Sequence, residues 1–156
     1  MTATATSLTR PTLLVWIDAE EALLVRWNGD AHVDRLRSDV PPRREATGHV
    51  RHDPNVRHGG GGAAQDKIER DRDGHLRGFI AAVAAAVDPG EDVEIVGPGT
   101  VRTDLARLIV SEDRRAGRER SVVVEAARPM TERQLVARLR ERIGDPAMRV
   151  HPRRTA

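Results

Sequence analysis

Four consecutive glycines, Gly59, Gly60, Gly61 and Gly62, stand in a stretch crowded with arginine and histidine. A glycine run lets a backbone come close to a ligand, because no Cβ intervenes. The cations around it are Arg43, Arg44, Arg51 and Arg57, interleaved with His49, His52 and His58. Guanidinium groups fork onto phosphates and stack on bases, so this mixture suits contact with an RNA backbone. Three other chemistries are weighed and set aside. The phosphate loop of nucleotide hydrolases needs a Gly-Lys-Ser/Thr ending, whereas Lys67 lies between Asp66 and Ile68. Zinc needs three or four converging ligands; the histidines have no cysteine beside them, only Asp53 as a further ligand, and a spacing that fits no standard site. A metal-dependent nuclease needs several convergent carboxylates. Asp18, Glu69, Asp71 and Asp73 are the candidates, but the strand that should bring another ends in Gly97, so Asp18 reads as a turn residue. No metal and no cofactor is expected. Gly97-Pro98-Gly99-Thr100 precedes a helix N-terminus and reads as a tight strand-to-helix turn.

The chain has 156 residues, 38% hydrophobic and 32% charged, which is enough for one domain with a real core. Aromatic residues are 2%, so Leu, Val, Ile and Ala must fill that core. The basic residues are arginine except for Lys67, and the formal net charge is only +2. Charge over the whole chain is therefore a weak argument for nucleic acid, and the argument rests on the loop. With no cysteine there are no disulfides, and a cytoplasmic location is expected. No apolar run approaches the roughly 20 residues of a membrane helix. Residues 1–12 read as a disordered tail without an apolar signal core, and 145–156 as a basic tail with Arg149, Arg153 and Arg154.

The elements that must position the loop follow from periodicity. Leu13 to Asp18 is an unbroken apolar run closed by a carboxylate, which predicts a central strand buried on both faces. Ala22 to Trp27 predicts a second strand. Asn28-Gly29 predicts a tight hairpin with both turn residues at positive φ, and a third strand follows over Asp30 to Leu36. Residues 38–65 have no periodic pattern and predict a long flexible Gly/Arg/His-rich loop. Ile68, Leu76, Phe79, Ile80, Val83 and Val87 share one helical face over Asp66 to Val87. Its first half carries Arg70, Arg72 and Arg77 among Asp71 and Asp73, a run whose usual meaning is a solvated face of self-paired charges. Val93 to Val96 predicts a strand, Val101 to Arg114 a helix capped by Thr100, and Ser121 to Ala127 a further strand. Thr131 and Gln134 predict a capping box for the last helix, with a Met130–Leu135 staple and Gly144 just past its end.

This β-β-β-α-β-α-β-α order predicts an α/β fold over residues 13–144: a single mixed five-stranded RNase H-like sheet with helices packed on it. The first strand is expected at its centre, with the fourth and fifth parallel to it. The segments VWIDAEEALLVRW, HGGGGAAQ, VEIVGPG and VVVEAARPMTERQLVARLR, in that order, resemble the middle domain of archaeo-eukaryotic-type peptide chain release factors. The small bacterial proteins that carry this domain alone are the nearest likeness, over roughly Leu13 to Ile143. The resemblance implies a translation factor that binds the ribosome, rRNA or tRNA. It also implies a Gly-Gly-Gln loop tip whose glutamine helps to place the water that hydrolyses the peptidyl-tRNA ester. Here Ala63 and Ala64 follow the glycines, and Gln65 stands two positions later than that motif requires.

The function expected is RNA-associated rescue, quality control or hibernation. Contacts would come from Arg43, Arg44, Arg51, Arg57, His58, Gly59 to Gly62, Arg70 and Arg77. The alternatives are a peptidyl-tRNA hydrolase using Gln65, and a protein-interaction or stress domain that kept the fold and lost its affinity for RNA. No membrane partner is expected. The further domains with which full-length release factors read codons are not expected here, nor is decoding in their manner.

Overall fold

A computed structural model describes residues 11–41 and 61–144. Five strands and three helices alternate as the sequence predicts: β1 (Thr12–Ile17), β2 (Glu21–Trp27), β3 (Ala31–Arg37), α1 (Gly61–Ala85), β4 (Asp92–Gly97), α2 (Val101–Ala116), β5 (Val122–Ala126) and α3 (Glu132–Ile143). They form one mixed sheet in the order β3-β2-β1-β4-β5. β1 is central. It pairs antiparallel with β2 and parallel with β4, and β5 is parallel to β4.

β1 lies in the middle because its apolar run suits burial on both faces. Leu13, Val15 and Ile17 turn to one side. There they meet Phe79, Ile80 and Val83 of α1 and Leu105 and Ile109 of α2. Leu14 and Trp16 turn to the other, against Leu135 and Leu139 of α3. The result is three layers, with two helices on one face of the sheet and one on the other.

The turns follow from local chemistry. Asp18 Oδ1 accepts hydrogen bonds from the Glu20 and Glu21 amides at 2.7 and 2.8 Å, which holds the β1–β2 turn and spends the carboxylate there. The β2–β3 turn corrects the expectation. Trp27 pairs with Ala31, so three residues make the loop, and only Gly29 has positive φ, at 97°. Asn28 stays in ordinary backbone space because the third residue, Asp30, closes the turn through its carbonyl, which accepts from Asn28 N–H.

Gly97 has no permissible substitute by geometry: a Cβ there would run into the Ile17 carbonyl oxygen of the neighbouring strand. Thr100 occupies the N-cap position of α2 but its side chain makes no cap bond. Its backbone is already in the helical region at φ −101°, ψ −12°, so the hydroxyl is not aimed at the first free amides. Instead Arg102 ties the turn, its Nη1 donating to the carbonyls of Gly97 and Gly99. α3 starts as its sequence predicts. Thr131 Oγ1 accepts from Gln134 N–H, the Gln134 side chain accepts from Thr131 N–H, and Gly144 closes the helix at φ 67°. Met130 packs against the cluster that holds Leu135.

Two corrections concern α1. It begins at Gly61 rather than Asp66, so Gly61, Gly62 and Gln65 are helical. Ala63, Ala64 and the residues after them are good helix formers, which extends the helix back over two of the glycines. Ile68 does not join the core: it is 65% exposed. α1 is about 37 Å long at 1.5 Å per residue, whereas a six-residue strand spans about 20 Å. The body beneath the helix ends before Ile68 is reached.

Candidate nucleic-acid interface

α1 has two unlike halves. Phe79, Ile80, Val83 and Ala84 are buried against the sheet and α2. From Gln65 to His75 every residue is exposed except Arg72, which is half-buried. This first half stands out as an arm with Gln65, Lys67, Arg70 and His75 along it.

The self-pairing that the alternating charges of the arm predict is not found at Arg70 or Arg77. Arg70 Nε donates to the Asp66 carbonyl at 3.2 Å, and Arg77 Nε to the Asp73 carbonyl at 3.4 Å. These are bonds to the preceding turn of the same helix. Neither guanidinium has an ion-pair partner among the described residues. Arg72 Nε is buried without a hydrogen-bond partner.

Between the arm and the end of β3 lies an open groove of about 700 Å³. Arg37 and Asp39 line one side, and Arg70, Gly74, His75 and Gly78 the other. His75 Nδ1 lies 3.3 Å from Asp39 Oδ2. A Cβ at Gly74 or Gly78 would meet nothing within 4 Å. The glycines, four apart on one face, therefore leave the groove wall as bare backbone. They weaken the helix by about 1 kcal/mol each relative to alanine. Arg37, Asp39 and His75 were not singled out from the sequence. Arg37 ends β3, Asp39 follows two residues later and His75 sits mid-helix, so only the placing of β3 beside α1 brings them together.

Several arginines of the body are used differently. Arg120 is buried and bonds Asp113 at 2.6 Å, with Arg118 adding a second contact at 3.2 Å. The Arg120 hydrogen bond, helped by Arg118, holds the Asp113 carboxyl below the ordinary carboxylate range against the opposing cost of burial. Glu94, in the middle of β4, is buried under α3. Arg138 bonds its Oε1 at 2.6 Å and Arg142 lies 3.3 Å from Oε2. The bond to Glu94 raises the pKa of the Arg138 guanidinium. Arg26 bridges Glu91 at 2.8 Å, and Arg140 lies over the Trp27 ring, 4.3 Å from its centroid. Each of these pairings ties its arginine into the body, so the positive charge is spent inside the structure.

Among the described residues no group of three metal-ligand side chains converges. Asp18 is held in its turn, and Glu94 faces arginines rather than other carboxylates. No described helix is long and apolar enough to cross a membrane. Of the residues expected to carry function, Gln65 and Arg70 lie on the arm and Arg77 just past it on α1, with Gly61 and Gly62 in the first turn of the same helix. Arg43, Arg44, Arg51, Arg57, His58, Gly59 and Gly60, together with His49 and His52, lie outside the described residues. A scan against protein-family models finds no match, and no curated protein matches the chain.

Proposed function

We propose that this protein is a ribosome- or RNA-associated translation factor of release-factor type, which binds through the first half of α1 and the glycine- and arginine-rich segment leading into it. One observation carries the reading: Arg26, Arg35, Arg118, Arg120, Arg138 and Arg142 brace the body through ion pairs, whereas Arg70 on the arm and Arg77 just past it bond, among the described residues, only to their own helix. Guanidinium groups left available on an exposed helix suit phosphate, and each phosphate contact releases counterions, so binding should weaken steeply with salt. The groove beside Arg37 and Arg70 adds room for a backbone, and its glycine wall allows close approach. The strand order β3-β2-β1-β4-β5 supports the RNase H-like reading of the fold and so the likeness to release-factor middle domains.

The test is sedimentation of the full chain with ribosomes at low and high salt. Cosedimentation at low salt, abolished at high salt and weakened by Arg70→Ala with Arg77→Ala, is expected. Failure to cosediment at low salt overturns the reading. Gln65 is exposed on the arm but sits within a helix, not at a loop tip. Peptide release from stalled ribosomes by the parent and by Gln65→Ala separates binding from hydrolysis: equal release by both removes Gln65 from any mechanism.

A further inference from the structure

The sheet ends in two edges of opposite character. β3 carries His32, Asp34, Arg35 and Arg37 along its length. Charge of this kind keeps an edge from pairing with another chain. β5, the other edge, reads Val122-Val123-Val124-Glu125-Ala126. Its one charge, Glu125, is already held by Arg138 Nη2.

The free backbone groups of β5 can be assigned. The Ser121 carbonyl accepts from Val93 N–H, and Ala127 N–H donates to the Gly97 carbonyl. Backbone groups alternate sides along a strand, so the residues in phase with Ser121 and Ala127 bond to β4. Val122, Val124 and Ala126 turn their N–H and C=O outward, and no strand among the described residues pairs with them.

Apolar side chains gather at the same edge. Among the described residues three large hydrophobics are exposed: Ile68, Val110 and Val124. Ile68 is on the arm. Val110, on α2, shares a cleft with Val122 and the Asp113–Arg120 pair. Val124, two residues on, faces the same way as Val122. The bare apolar surface thus spans two layers, strand and helix, about 10 Å apart.

We propose that the β5 edge is a homodimer interface, in which β5 of a second copy pairs antiparallel across a two-fold axis at Val124. Val124 meets its own counterpart, and Val122 meets Ala126 of the other copy. The axis stands perpendicular to the sheet, so both copies keep α2 on the same side, and each Val110 is covered along with the strands. A lone peptide would satisfy the outward N–H and C=O groups but would leave the helix layer wet. The footprint agrees with a small dimer. Five residues make an edge about 17 Å long; two layers deep, it buries on the order of 1,000 Å² in total, the lower limit for a specific interface. Charge does not oppose it. The formal net charge is +2, and the two-fold places Arg114 and Arg118 of the two copies at opposite ends.

Analytical ultracentrifugation of the full chain tests this. A monomer–dimer equilibrium is expected, with a Kd of order 10 µM, fitting an interface of minimal size. Val124→Pro removes only an outward N–H, and Val110→Glu charges the helix layer. Each should raise the Kd roughly tenfold or more while far-UV circular dichroism stays unchanged; Val124→Lys replaces the proline variant if that one loses structure. A protein that stays monomeric at 200 µM, roughly 20 times the expected Kd, overturns the proposal, as does a dimer indifferent to both substitutions.

Discussion

The two halves of α1 have one backbone and opposite surroundings. Leu76 to Ala85 packs its apolar face on the sheet and α2, and its register is set by Phe79, Ile80 and Val83. Gln65 to His75 has no sheet beneath it, and its one large apolar residue, Ile68, is bare. Arginine makes the same division. Arg138 holds the buried Glu94 across from α3 to β4, and Arg120 links buried Asp113 to the Asp88 carbonyl, while Arg70 on the arm and Arg77 just past it hold only carbonyls one turn back. A residue type that promises RNA contact in one half of the molecule is structural in the other. What separates the two uses is a carboxylate opposite, and that depends on tertiary packing rather than on local sequence.

The contrast is sharpest where the body has no slack. Gly97→Ala forces a Cβ into the Ile17 carbonyl between the two central strands, and stability should fall by about 3 kcal/mol or more. Urea denaturation measures it; a fall below 1 kcal/mol, roughly the effect of an ordinary surface change, would mean the strands can part there freely. Glu94→Ala comes next. It leaves a void under α3 and takes the buried carboxylate from Arg138 and Arg142, of which Arg138 keeps Glu125, at a cost of about 2 kcal/mol, since the partly exposed guanidiniums are only partly stranded.

Asp113 supplies a pH-dependent form of the same test. Its folded pKa is depressed by Arg120 and Arg118, so its contribution is full above the unfolded carboxylate value of about 4 and disappears as pH falls through the lower folded value. The stability advantage of the parent over Asp113→Asn should therefore be constant near neutrality and shrink in acid. An advantage independent of pH down to about 2, well below the unfolded value, would show that the pair acts by packing alone.

The groove-facing side of α1 should respond in the opposite sense. Gly74→Ala with Gly78→Ala meets open space and should add about 0.5–1 kcal/mol of helix stability per site, seen as increased helicity with the body unfolding unchanged or later. A drop in stability would mean that the groove wall touches something the sheet does not supply. Arg70→Ala and Arg77→Ala come last, with stability moving by no more than about 0.5 kcal/mol. On the proposed RNA-binding function their effect falls on binding: taking one guanidinium away from a phosphate should reduce the salt slope of RNA affinity by about one. Destabilisation of the body by either would erase the distinction between arm and body.

The sequence by itself determined the order of elements, the central place of β1 and the ends of α3. These rest on local rules: an apolar run suits burial on both faces, Thr131 and Gln134 satisfy each other's backbone within one turn, and Gly144 adopts a left-handed conformation at little cost. The tertiary structure decided the rest. Ile68 keeps the helical spacing of the core and yet lies outside it, because the strands run out before the helix does. Gly61, Gly62 and Gln65 read as loop, but the helix extends back to take them in. Arg37 and His75 meet across a groove, and Glu94 finds Arg138 and Arg142, only because separate elements are stacked by the sheet. Spacing along a chain reports which residues can share a face; it does not report how far the neighbouring layer extends or which charge stands opposite.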